Sequence, residues 1–271
     1  MSFLQIYLNA LLIILVMMSL LWVASVILKN AGIVDIFWGT GFLIATTYYF
    51  LASDGDNLRR LILLICVALW SLRLSVYIAW RNAGKGEDYR YRQFRKNYGE
   101  HRYWWISYFQ VFLLQGLLMW LISAPLLAAQ YYGTEKSFGI IDIIAGAVWI
   151  IGFVFEAGGD YQLAVFKANP ANRGKVLNYG FWKYTRHPNY FGDAAVWWSY
   201  GLFSIAAGSW LPVLGPVLMT FLIIRISGVS LLEKNLTGTK PEYIKYKSTT
   251  SAFLPWFPGK KEEGISSASS S

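Results

Sequence analysis

The sequence predicts an all-α, polytopic membrane protein of seven transmembrane helices, with its N-terminus outside and its C-terminus in the cytoplasm. Three observations carry that prediction. The chain of 271 residues is 56% hydrophobic and 14% charged, against about 25% charged in an average soluble domain. Apolar stretches of about 20 residues, the length a bilayer demands of a helix, recur along it. The Lys and Arg residues between them crowd onto alternate loops.

The predicted spans cover residues 5–28, 32–52, 61–80, 104–130, 137–165, 188–207 and 210–232. The first is too long for a signal-peptide core and has no basic residue ahead of it, so it reads as a retained span and no signal peptide is evident. Across the seven, 19 Lys and Arg fall on one side and three, Arg59, Arg60 and Lys136, on the other. Arg73 and Arg225 lie inside spans. The basic side is cytoplasmic by the positive-inside rule, which accounts for the net charge of +9 without nucleic acid. No internal repeat is visible, which argues against a transporter built from two halves. The basic segment from Arg81 to Arg102, interleaved with tyrosines, suits either an interfacial helix or a ligand-binding loop.

Ionisable residues inside spans are costly and need a partner, a water-filled cavity or a ligand. Entering from the cytoplasm, the second span carries Asp35 a turn inside, and the third carries Arg73 two turns deep with Tyr77 along the same face. The fifth carries Glu156 and Asp160 four apart, the sixth begins with Asp193, and the seventh has Arg225 with Glu233 at its mouth. Only Asp142 falls in the outer half. This one-sidedness predicts a polar cavity open to the cytoplasm; structural pairs such as Asp35 with Arg73 and Asp193 with Arg225 would satisfy the same charges.

The loop before the sixth span holds Lys167, Arg173, Lys175, Lys183 and Arg186, and then His187-Pro188-Asn189 opens the helix. Pro at a first helical turn with cations around it suits phosphate or carboxylate. His187 reads as an N–H donor at the helix entry more readily than as a general base. Two histidines, His101 and His187, and one intramembrane cysteine, Cys66, offer no metal cluster.

The run Arg186-His187-Pro188-Asn189-Tyr190-Phe191-Gly192-Asp193 and the segment Leu254-Pro255-Trp256-Phe257-Pro258 resemble the C-terminal domain of the steroid 5α-reductase family. Val34-Asp35-Ile36-Phe37-Trp38-Gly39 and the stretch from Arg81 to Tyr91 resemble its bacterial-type branch. The resemblance implies a seven-span enzyme of steroid and lipid metabolism. It would use NADPH to reduce a carbon–carbon double bond conjugated to a ketone, typically in a 3-oxo-Δ4-steroid, giving the 5α-reduced product. By the same resemblance, Asn189 and Asp193 match an Asn-Phe-x-x-Glu cofactor element with Asp in place of Glu. Asp160 and Lys167 match an Asp and an Arg that hold the nucleotide, Lys175 a basic residue ahead of the motif, Arg225 an Arg of the last span, and Asn82 and Lys85 an Asn-x-x-Arg. Arg186 and His187 complete the implied cofactor set. The family's carbonyl-polarising Glu and Tyr correspond to Asp35 and, since Trp70 aligns with the tyrosine, to a phenol from Tyr77 or Tyr89.

The same resemblance places catalytic elements in spans two and three and cofactor binding over about 138–258 of a single membrane domain, 1–263, while the serine-rich composition of 264–271 reads as a disordered tail. The expected partners are the bilayer and an apolar steroid-like substrate, and the expected state is a monomer. The expected location is a bacterial inner membrane or the endoplasmic reticulum, with the active site facing the cytoplasm. The competing reading is an S-adenosylmethionine-dependent methyltransferase of the isoprenylcysteine carboxyl or phospholipid type, which shares Arg-His-Pro-x-Tyr but pairs two Glu residues where this chain has Leu232-Glu233-Lys234. A third is a non-catalytic scaffold or lipid-binding protein, which would bind neither nucleotide.

Overall fold

The computed structural model describes residues 1–133, 136–227 and 241–259. Among these residues it is all-helical. Helices α1 (Phe3–Leu28), α2 (Ile33–Ala52) and α3 (Asn57–Asn82) come first, then the short α4 (Tyr89–Tyr98) and α5 (Glu100–Ser107). A wide π-helical turn, Tyr108–Leu113, leads into α6 (Leu114–Ile122) and α7 (Ala124–Tyr131). After them come α8 (Ile140–Ala168), α9 (Pro188–Ala206), α10 (Leu214–Phe221) and α11 (Pro241–Thr249).

Five of these stretches are long and apolar enough to cross a membrane: Phe3–Leu28, Ile33–Ala52, Asn57–Asn82, Glu100–Tyr131 and Ile140–Ala168. The fifth predicted apolar run, 137–165, is a helix shifted three residues along the chain, Ile140–Ala168. The fourth is broken, because Pro125 cannot continue the hydrogen bonding of α6, and α7 restarts with it at the first turn. The sixth predicted span is a helix of 19 residues outside the five, its apolar character diluted by Asn189, Asp193, two Trp and several small polar residues. The seventh reaches only Leu211–Ile226 as an apolar helix among the described residues. Glu233, Lys234 and the predicted tail lie outside them.

The chain divides into two compact units, Met1–Trp149 with Trp197–Met219, and Ile150–Val196 with Thr220–Ser271. In the first, α2 and α3 approach until a Cβ at Gly39 would stand 2.9 Å from the Ser71 carbonyl. The core above that crossing is aromatic: the fully buried Phe42 and Trp70 meet Trp197 edge-on, with centroids 4.6 and 5.6 Å away. Such edge-to-face pairs add about 0.5–1.5 kcal/mol beyond area burial. Tyr7 and Trp120 stack at 4.3 Å and exchange reciprocal side-chain to backbone hydrogen bonds, which locks α1 to α6. Asp142 is met by Arg59, whose Nε donates to Oδ1 at 2.6 Å while Nη1 donates to the Lys136 carbonyl.

In the second unit glycine sets the geometry. A Cβ on Gly152 would lie 2.7 Å from the Val196 nitrogen and 2.8 Å from the Gly192 carbonyl, and one on Gly192 would overlap the Glu156 nitrogen. Only hydrogen at these positions lets the two backbones touch, as small residues do at membrane helix crossings. Phe166, Leu177 and Trp182 close a small core beside the crossing.

Gly192→Ala is expected to destabilise the protein by about 3 kcal/mol through overpacking. Gly146→Ala, on α8 with nothing within 4 Å of its Cβ, should be neutral or stabilise by about 0.5–1 kcal/mol. Equal unfolding midpoints for the two variants in detergent would refute the crossing. Arg59→Met, which leaves the Asp142 charge buried, should cost about 3–5 kcal/mol, and Arg59→Met/Asp142→Leu should recover most of it; the same melts check both.

Candidate functional site

Within the first unit, Asp35 lies in the first turn of α2. Its Oδ2 accepts from Arg90 Nη2 at 2.7 Å and its Oδ1 from the Tyr91 hydroxyl at 2.7 Å. Both partners come from the first turn of α4, whose N-cap is Asp88: the Asp88 carboxylate accepts from the Arg90 backbone N–H and from its Nε, each at 2.9 Å. Burial disfavours the Asp88 charge, but these hydrogen bonds outweigh it and hold the carboxyl below its usual range. The Tyr91 phenol is pushed upward, first by burial and then by the neighbouring Asp35 charge, so it stays protonated as a donor. Gln115 Nε2 reaches the same oxygen at 3.4 Å from α6. Glu87 steadies the segment, accepting from the Ala31 backbone N–H at 2.8 Å and from Arg95 at 2.9 and 3.1 Å.

The partners of Asp35 are therefore Arg90 and Tyr91, rather than Arg73. The phenol that meets the acid is neither of the two expected from sequence. Tyr77 lies 6.1 Å from the Trp80 ring and beneath the Arg81 guanidinium, and Tyr89 is exposed. Trp70, at the aligned tyrosine position, is a fully buried core residue. Asp35 thus accepts from a guanidinium and a phenol at once. Beside it, Asn30, Gly32, Ile36, Ala79, Asn82 and Asp88 line a cavity of about 210 Å³. Asn82 is thus at a pocket wall, whereas Lys85 is exposed on the turn that its backbone N–H closes onto the Asn82 carbonyl.

Within the second unit, Asp160 and Asn189 meet. Asn189 Nδ2 donates to Asp160 Oδ1 at 3.0 Å across the glycine crossing, where Gly159 faces Pro188 and the Asn189 nitrogen. Asp160 is buried, Asn189 and Asp193 half-buried, and Lys167, Lys175 and Arg225 exposed. The His187 carbonyl accepts from the Phe191 N–H and so opens α9, and its own N–H donates to Thr185 Oγ1 at 3.3 Å. Arg186 is buried, and its Nη1 donates to the Lys247 and Thr250 carbonyls at 2.7 and 2.6 Å. These bonds close the C-terminal end of α11, a positioning role that sequence position did not disclose.

A carboxylate hydrogen-bonded to a carboxamide offers both acceptors and donors to hydroxyl or amide groups, and exposed cations in the same unit suit phosphates. Sequence reasoning missed Arg90 and Tyr91 as neighbours of Asp35, and Gln115 as a neighbour of Tyr91. The available signal was Asp88, a residue type that starts helices, which places Arg90 and Tyr91 together in a first turn.

A family model described as Protein of unknown function (DUF1295) matches residues 21–250. Uncharacterized protein C594.04c of Schizosaccharomyces pombe is 27% identical over 274 residues, covering 89% of this chain and 77% of its own. Delta(14)-sterol reductase of Ascobolus immersus is 33% identical over 108 residues, which are 34% of this chain and 25% of that enzyme. No solved structure matches.

The Asp88 cap carries a pH prediction. Because its folded carboxyl is held below the usual range, its contribution is complete above the ordinary carboxylate range and disappears as pH falls through the lowered value. Hydrogen exchange at the first turn of α4 should accelerate there, and Asp88→Asn should shift that onset; an onset unchanged by the substitution would remove Asp88 from the cap.

Proposed function

This chain belongs to the DUF1295 family, and from that premise we propose that it is an integral membrane reductase that uses NADPH to saturate the conjugated C=C bond of a membrane-soluble enone, foremost a 3-oxo-Δ4-steroid. The carrying observation is the Asp160–Asn189 pair. Two residues that resemble nucleotide-holding positions, 29 apart in sequence, are hydrogen-bonded to each other at 3.0 Å. The partial likeness to a sterol reductase supports the same reaction class.

The donor set fits a nicotinamide dinucleotide. In the second unit Asp160, Asn189 and Asp193 would hold its amide and ribose groups, and Lys167 and Lys175 its phosphates; His187 and Arg225 stand in the same unit as candidates for the cofactor's polar edge. NADPH, when bound, supplies hydride to the β-carbon of the enone. In the first unit the Tyr91 hydroxyl, whose single proton goes to Asp35 Oδ1 in the structure, would turn that proton to the substrate carbonyl as negative charge develops on its oxygen, leaving Asp35 held by Arg90. Arg90, whose guanidinium carbon lies 5.3 Å from the Tyr91 ring centroid, offsets that charge. The α-carbon then takes a proton from water and the carbonyl re-forms, so that one hydride and one proton add across the C=C bond. In this proposal the chain crosses the membrane seven times with its basic loops and cofactor residues cytoplasmic, and acts as a monomer.

Titrating the purified protein with NADPH and with S-adenosylmethionine tests the class. NADPH should bind and S-adenosylmethionine should not; the opposite result would establish the methyltransferase reading. Asn189→Leu should weaken NADPH binding about tenfold or more, since a buried hydrogen-bonding group loses its partner. Tyr91→Phe should lower kcat about 100-fold with NADPH affinity unchanged, the signature of a donor acting on the transition state. Undiminished turnover in Tyr91→Phe would return the role to Tyr77 or Tyr89.

A further inference from the structure

The second unit holds a cavity of about 480 Å³ to which the proposed reduction assigns no role, lined by Asn178, Lys183, Glu242, Lys245, Tyr246 and Thr249. Its floor is fixed, because the Tyr246 hydroxyl donates to the Trp182 carbonyl and Tyr246 is buried. Among the described residues Lys183 touches the Tyr184 ring at 5.9 Å, and neither Lys183 nor Lys245 forms an ion pair. Two lysines against one glutamate give the lining a net charge of +1, matched by a single phosphate.

The wall continues through Pro258 into the segment that carries Leu254, Trp256 and Phe257, which are 65%, 73% and 77% exposed. These side chains stand out from a pinned backbone. The Trp256 N–H donates to the Tyr184 carbonyl at 2.9 Å, Thr185 Oγ1 donates to the Phe253 carbonyl at 2.9 Å, and the Gly259 N–H donates to the Thr249 carbonyl at 2.9 Å. Phe257 also meets the Tyr184 ring edge-on at 5.9 Å. Large apolar and aromatic side chains held outward beside lysines are the composition that settles at the headgroup layer, where the rings face acyl chains and the ammonium groups face phosphate.

We propose that this cavity and its aromatic strap bind the headgroup of an anionic glycerophospholipid, with the phosphate between Lys183 and Lys245 and with Leu254, Trp256 and Phe257 set among the upper acyl carbons. The site is independent of the reduction: it shares no residue with the proposed cofactor or carbonyl roles.

Native mass spectrometry of the full chain, released from nanodiscs containing phosphatidylglycerol and phosphatidylcholine, tests it. Phosphatidylglycerol should be retained in preference, and Lys183→Gln/Lys245→Gln should weaken that retention about 10- to 30-fold, the effect of two interfacial charges. Trp256→Ser/Phe257→Ser should weaken it as well, with both lysines in place. NADPH affinity should be unchanged in both variants, which separates this site from the proposed reductase. Equal retention by the wild type and the lysine variant would overturn the proposal. So would full displacement by millimolar glycerol 3-phosphate, which would make the cavity a site for soluble phosphates.

Discussion

Contact between the backbones of α8 and α9 is the interaction on which the second unit depends. Gly152 and Gly192 leave no room for a Cβ and Gly159 only a tight fit, so the helices meet at backbone distance rather than through side chains. Lipid tails are as apolar as leucine, so burying side chains between helices gains little there, and van der Waals fit between small residues becomes the driving force. The same closeness brings Asp160 within hydrogen-bonding distance of Asn189. Side chains of ordinary size in the crossing would separate the two groups by several ångströms.

A second constraint shapes the first unit: an ionisable group in an apolar surround needs a partner. Arg59 and Asp142 satisfy each other in a fully buried pair. Asp35 is met by a guanidinium and a phenol delivered together on one helical turn. That turn exists because Asp88 caps α4 and Glu87 ties its approach to the backbone before α2 and to Arg95. The basic segment after α3 is thus anchored by its acids, and its chemistry resides in two side chains among many similar ones. The proposed carbonyl donor follows from this arrangement, which brings the Tyr91 hydroxyl to Asp35, and Gln115 to that hydroxyl, at the entry of α2.

Much of this was legible in the sequence, though unevenly. The long apolar runs gave helices with boundaries within a few residues, because a bilayer-length apolar run has few other ways to satisfy its backbone. The Pro125 break in the fourth run and the polar dilution of α9 were written in single residues, which a sliding reading for apolarity averages away. Asp35, Asp160 and Asn189 could be singled out by depth and motif. Arg90 and Tyr91 could not be separated from Arg92, Arg95, Tyr89 or Tyr98, because a basic-aromatic run looks alike at every register until its cap is located.

Composition and charge placement alone determined that this is an apolar, all-helical protein with spans long enough to cross a membrane and with basic loops between them. These properties follow from one residue at a time, since each apolar residue or charge carries the same transfer cost wherever its neighbours fold. Which acid meets which cation, which tyrosine faces Asp35, and that Arg186 closes α11 rather than standing free in its loop, were decided by tertiary structure alone. Pairing depends on distances between segments some 55 to 85 residues apart, set by glycine contacts and helix caps whose effect appears only when the helices pack.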